Sequence, residues 1–130
     1  MGAYQSRLPQ EDAERFEKQT FFNFKEIDRL FGRFEDLGGS LEKTLPVDIV
    51  LGIPELKTNP FRHRIVFVFS SMNDDGNRYM RFEDFLQMMN AFAPRTSIEV
   101  KAFWAFKLYG MFVNALLSLH AAHSRRRACQ

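Results

Sequence analysis

Asn73-Asp74-Asp75-Gly76-Asn77-Arg78-Tyr79-Met80-Arg81-Phe82-Glu83-Asp84-Phe85 decides how this chain is read. Counted from Asn73, oxygen-bearing side chains fall at positions 1, 3, 5 and 12: Asn73, Asp75, Asn77 and Asp84. A hard cation such as calcium is held by such an oxygen set, with a backbone carbonyl at position 7, here that of Tyr79. Met80 at position 8 is apolar, which suits a short strand pairing one such loop with another. Phe85 opens the apolar face of a following helix.

This is the spacing of an EF-hand loop, in a degenerate form. Position 6 needs Gly, because the chain turns there with φ > 0; here it holds Arg78, at a cost of about 1–2 kcal/mol. Asp84 is one methylene shorter than the Glu that grips the ion with both oxygens, and Asn73 is neutral. Arg78 and Arg81 bring two positive charges. A second register puts Gly76 at position 6, but it puts Phe82 at position 12 and Arg78 at position 8. Neither register completes a cage. The favoured reading is a structural loop without metal. Asn73, Asp75, Asn77, Tyr79 and Asp84 are the degenerate metal candidates for calcium, with magnesium as the alternative.

The chain has 130 residues, enough for one domain with a real core. Fifteen Phe and six Met fit a core and also an adaptable groove that receives a partner helix. The net charge of +2 hides an asymmetry: −3 through Glu99 and +5 from residue 100 onward. Such a break separates an acidic front part from a different tail. The single cysteine, Cys129, allows no internal disulfide, which fits a reducing cytosolic setting. The polar start of the chain is not a secretory signal. Met1-Gly2-Ala3-Tyr4-Gln5-Ser6 fits the N-myristoylation pattern, with Gly2 as acceptor.

Along the chain, Pro9 to Asp12 predicts a first helix, its acids complementing the dipole. Asn23-Phe-Lys-Glu26 reads as a capping box that starts a second helix, with Ile27, Leu30, Phe31 and Phe34 on its apolar face. Gly38-Gly39 stops it, and Ser40 to Thr44 would be the loop of a vestigial first EF-hand. Pro46 begins a short helix ending near Gly52. Asn59-Pro60 predicts a capped helix with Phe61, Ile65, Val68 and Phe69 on one face, although Ile65 to Phe69 also suits a buried strand. After the loop, Phe82, Phe85, Leu86 and Met89 repeat helical spacing up to Pro94. Thr96 and Glu99 predict one more capping box, with Val100, Phe103, Trp104 and Leu108 on the face of the last helix.

Four segments resemble the calcium- and integrin-binding protein family: Thr20 to Ile27, Ile53-Pro-Glu-Leu-Lys-Thr-Asn-Pro-Phe-Arg62, Phe82-Glu-Asp-Phe-Leu86 and Ala105-Phe-Lys-Leu-Tyr109. The likeness runs from Met1 to about Tyr109. It implies an all-α protein of EF-hands, N-myristoylated, that binds cytoplasmic tails of integrins and other membrane proteins in a hydrophobic groove. The resemblance also implies four EF-hands, the last two metal-binding. Those metal sites do not carry over, because the third loop that should start at Gly110 has no acidic residues.

The expected organisation is an arm and helix at 1–22, a degenerate EF-hand pair at 23–93, the entering helix of an incomplete third EF-hand at 94–109, and a divergent apolar and basic tail at 110–130. The expected function is a non-enzymatic adaptor for a helical peptide or an integrin-like cytoplasmic tail, with little or no calcium response. Phe85, Met89, Phe103, Trp104 and Leu108 are the expected groove residues. No Ser/His/Asp or Cys/His arrangement and no Gly-rich phosphate loop stands out. No nucleic-acid partner is expected. His120 and His123 are three apart, but two ligands without a carboxylate or thiolate read as a solvated tail. Leu108 to Ala122 is uncharged yet shorter than the roughly 20 apolar residues of a membrane span. It suits a helix folding back into the groove, with Arg125 to Arg127 adding affinity for anionic lipid beside an acyl chain. An uncovered face on the last helix implies self-association or a partner. The expected location is cytoplasmic and peripheral at the membrane. One alternative is a truncated or gene-model fragment without independent function; another is a low-affinity calcium or magnesium protein acting through residues 73–84.

Overall fold

The computed structural model describes residues 8–110. The acylation motif at Gly2 and the tail readings (a helix from Met111 to Leu119, His120, His123, Arg125 to Arg127 and Cys129) lie outside the described residues.

Helix α1 spans Gln10–Gln19, with Glu11 and Asp12 in its first turn and Ala13 and Phe16 buried. Helix α2 spans Phe24–Asp36. Its capping box forms as the sequence predicts: Asn23 Oδ1 accepts from the Glu26 amide at 2.9 Å, and Glu26 Oε1 accepts from the Asn23 amide at 3.0 Å. Ile27, Phe31 and Phe34 point into the core. Gly38, at φ +108°, ends the helix in a left-handed turn, and the Gly39 amide returns to the Phe34 carbonyl at 3.0 Å.

Next come strand β1, Leu45–Pro46, and two one-turn helices, α3 at Val47–Val50 and α4 at Pro54–Lys57. The sequence reading missed α4, though proline at its start and Glu55 in its first turn are helix-start signals. Helix α5, Arg62–Phe69, begins later than Asn59-Pro60 suggests. Asn59 Oδ1 accepts from the Phe61 amide at 2.8 Å, and the Arg62 amide reaches the Asn59 carbonyl at 3.1 Å. These bonds close a separate turn, so Phe61 is left 60% exposed instead of joining the core face. Ile65 to Phe69 is helix rather than strand.

Strands β2, Ser71–Met72, and β3, Arg78–Met80, form a hairpin, and β3 also pairs with β1. Leu45 faces Met80 across β1 and β3, and both are buried. That contact is the strand pairing between loops which position 8 called for. Helix α6, Phe82–Phe92, follows, and residues 98–110, the end of the described residues, are helical and labelled α7. Its cap is Ser97, whose Oγ accepts from the Val100 amide at 3.3 Å. Thr96, the predicted cap, is buried instead and donates to Asn90.

The core is a cluster of phenylalanines from three helices. Phe82 of α6 has Phe16, Phe31 and Phe34 around it, with ring centroids 5.3, 4.9 and 5.5 Å away. Phe34 also meets Phe85 at 5.5 Å. Such offset and edge contacts are the favoured geometry of aromatic pairs. Phe85 is fully buried here, so it belongs to the core and not to a surface groove as expected.

Candidate functional site

Two regions carry candidate function: the second loop, and the surface shared by α5, α6 and α7.

In the loop, the left-handed residue is Gly76, at φ +86°, and no non-Gly residue among those described has positive φ. The sharp left-handed turn expected at Arg78 is therefore corrected to Gly76, while Met80 keeps the strand-pairing place counted from Asn73. Ser71 and Met72 pair with Tyr79 and Arg78, so Asn73 to Asn77 form the tip of a hairpin. The Asn73 amide donates to the Asn77 carbonyl at 2.9 Å, and the Gly76 amide to the Asn73 carbonyl at 3.1 Å. Asn73 Oδ1 and Asp75 Oδ1 both lie near the Asn77 amide, at 3.0 and 3.2 Å. Glycine adopts this turn without strain, which leaves Arg78 in extended strand.

Asp84 sits in the first turn of α6, and both of its oxygens face Arg81. Oδ2 accepts from the Arg81 amide at 3.0 Å and from Nε at 3.3 Å; Oδ1 accepts from Nη2 at 3.2 Å. Tyr79 is in the central strand, opposite both Ser71 and Pro46. Asn73, Asp75 and Asn77 thus come together at the hairpin tip, while Asp84 caps a helix. Among the described residues, no three His, Cys, Asp or Glu side chains gather where they could hold a metal ion.

The second region is apolar. Trp104 of α7 lies against Phe69 of α5 at 4.2 Å, and Phe103 meets Trp104 edge-on at 5.2 Å. Lys107 Nζ lies over both rings, 4.8 Å from Phe103 and 5.1 Å from Trp104. Around Phe92, which is 54% exposed, three hollows meet. The largest of the three, about 540 Å³, runs between Phe61, just before α5, and Ile65 of α5 on one side and Leu108 and Tyr109 of α7 on the other. A second of about 260 Å³ reaches Trp104, and a third of about 190 Å³ reaches Met88 and Met89. Of the expected groove residues, Met89, Trp104 and Leu108 line these hollows, and Phe103 lies beside them, 52% exposed. Phe92 and Phe61 were not anticipated. Both sit at the ends of apolar runs, where spacing alone does not separate the core side from the open side.

A buried polar junction holds this surface in place. Asn90, in α6, accepts from the Phe21 amide through Oδ1 at 2.9 Å and receives Thr96 Oγ1 near its carbonyl. One side chain so joins the α1–α2 connection, the end of α6 and the approach to α7. Glu26 binds Arg95 on the same side, and Arg33 of α2 binds Glu55 of α4 through a two-pronged ion pair. The amide of Asn23, then Arg95, lowers the Glu26 pKa; hydrogen bonds from Arg33 lower that of Glu55.

Helical segments whose two loops meet through a short antiparallel pairing define an all-α EF-hand protein. No family model matches the chain. It is 37% identical over 118 residues to human calcium and integrin-binding family member 3, covering 84% of this chain and 62% of that protein. It is 36% identical to member 2 of Danio rerio, over 88% of this chain and 64% of the relative. With human member 2 the identity is 34%, over 84% and 62%. The chain spans less than two thirds of the length of these relatives. Over the span it shares with them, the chain belongs to the calcium and integrin-binding family.

Proposed function

We propose that this chain is a non-enzymatic adaptor that seats a helical segment, such as the cytoplasmic tail of an integrin-like membrane protein, on the apolar surface around Phe92. The observation that carries this reading is the meeting of three hollows at one exposed phenylalanine, between walls supplied by α5 and α7. An amphipathic helix binds such a surface by inserting large side chains at successive turns. The names of the relatives, which refer to calcium and integrin binding, support the choice of partner. Calorimetric titration with an integrin cytoplasmic-tail peptide tests it. Saturable binding is expected for the parent and not for Phe92→Asp; equal binding by both, or none by the parent, overturns it.

The same adaptor responds weakly to calcium. Its loop oxygens are engaged at a hairpin tip and a helix cap. A calorimetric site tighter than about 10 µM, within the range of sensor loops, would contradict this. With acylation at Gly2 the protein sits at the cytoplasmic face of the membrane, and Gly2→Ala releases it. A second copy of the chain is the competing occupant of the surface, favoured by exposed Phe106 and Tyr109 on α7. Sedimentation that stays monomeric over a wide concentration range removes that reading.

A further inference from the structure

We infer that the guanidinium of Arg78 is the fixed internal cation of the second loop, linking the loop to its entering helix where an EF-hand of ordinary sequence uses a bound ion. Arg78 lies in β3, opposite Met72 in the hairpin, and its side chain runs back to the C-terminal end of α5. There Nη1 lies 3.2 Å from the Phe67 carbonyl, 3.4 Å from the Ser70 carbonyl and 3.0 Å from Ser70 Oγ. The guanidinium carbon stands 3.5 Å from the centroid of the Phe67 ring.

The last carbonyls of a helix have no partner inside it and carry partial negative charge. Ser70 serves part of this end: its amide donates to the Val66 carbonyl at 2.9 Å and its hydroxyl to the Phe67 carbonyl at 3.2 Å. Arg78 adds a second donor at the Phe67 carbonyl and one at the Ser70 carbonyl, together with a full positive charge. Stacking on Phe67 fixes the plane of the guanidinium. Being part of the chain, this cation does not dissociate from the loop as a bound ion does. It ties β3 to α5, and through β3 it holds the pairing with β1. The positive charge that weakens the loop as an ion site is the charge that closes it.

This inference rests on the weak calcium response proposed above and is independent of the docking surface. Hydrogen exchange of the full chain tests it, on the parent, Arg78→Lys and Arg78→Met, in a chelator and in about 1 mM calcium. In chelator, Arg78→Met is expected to speed exchange across residues 70–80 about tenfold or more, with α2 unchanged and Arg78→Lys between the two. Loop exchange in Arg78→Met within about twofold of the parent overturns the assignment. If Arg78→Met fails to fold, Phe67→Leu carries the test, because it keeps the charge and removes the ring. Faster exchange confined to residues 70–80 supports the assignment, and no change overturns it. If calcium slows loop exchange in the parent, the weak-response reading fails, while the comparison in chelator still decides the role of Arg78.

Discussion

Helix α2 and the described residues of α7 are both rich in apolar side chains, yet those side chains lie in opposite environments. On α2, Ile27, Phe31 and Phe34 are closed over by α6 through Phe82 and Phe85. On α7, Trp104 and Leu108 find partial cover against α5 and α6, while Phe103, Phe106 and Tyr109 stay open. The difference lies in partners rather than in sequence pattern. An apolar face is core only when a second face is placed to meet it. The first helix stabilises the fold, and the second presents a surface.

Substitutions can break or sharpen that contrast. The largest effect is expected at Phe82, the hub of the aromatic cluster. Phe82→Ala should cost about 3–5 kcal/mol, measured by denaturant unfolding, because three rings lose their common neighbour. Gly39→Ala comes next. Its new Cβ would lie 2.3 Å from the Phe34 ring, which is itself locked in the core. Overpacking of that kind should lower stability by about 1–3 kcal/mol in the same assay.

Acid should act more gently. Glu26 and Glu55 both have folded pKa values below the ordinary 4.5. Their contribution is fully present above the unfolded value and is lost as pH falls through the lowered folded values. Unfolding measured from pH 6 downward should show this decline below about pH 4.5, and Glu26→Gln with Glu55→Gln should flatten it. The smallest effect is expected on α7. Phe106, 74% exposed, should tolerate Ala within about 0.5 kcal/mol. A loss there as large as at Phe82 would mean that the two helices do not differ as described.

Much of this architecture is written in local signals. The capping box of α2, the Gly38-Gly39 stop and the position of Met80 each name their own structure, since the interactions that fix them lie within a few residues or one strand pairing. Other features depend on distant neighbours. Gly76 rather than Arg78 takes the left-handed turn because Ser71 and Met72 zip onto β3, which position counting from Asn73 does not reveal. The side of α6 that stays open at Phe92 is set by where α7 crosses it. Asn90 was overlooked, although a polar residue inside Met88-Met89-Asn90-Ala91-Phe92 is itself a signal that a buried polar group needs a partner.

Trp104 reports directly on the central claim that the α7 surface is completed by a partner helix. It is the only tryptophan, half-buried against Phe69 at the edge of the hollows. Its acrylamide quenching should be measured with and without the integrin cytoplasmic-tail peptide, in the parent and in Phe92→Asp. The account expects the peptide to shield Trp104 and shift its emission to the blue in the parent, with no change in the variant. Quenching that stays the same in the parent at saturating peptide, or falls equally in Phe92→Asp, would contradict it.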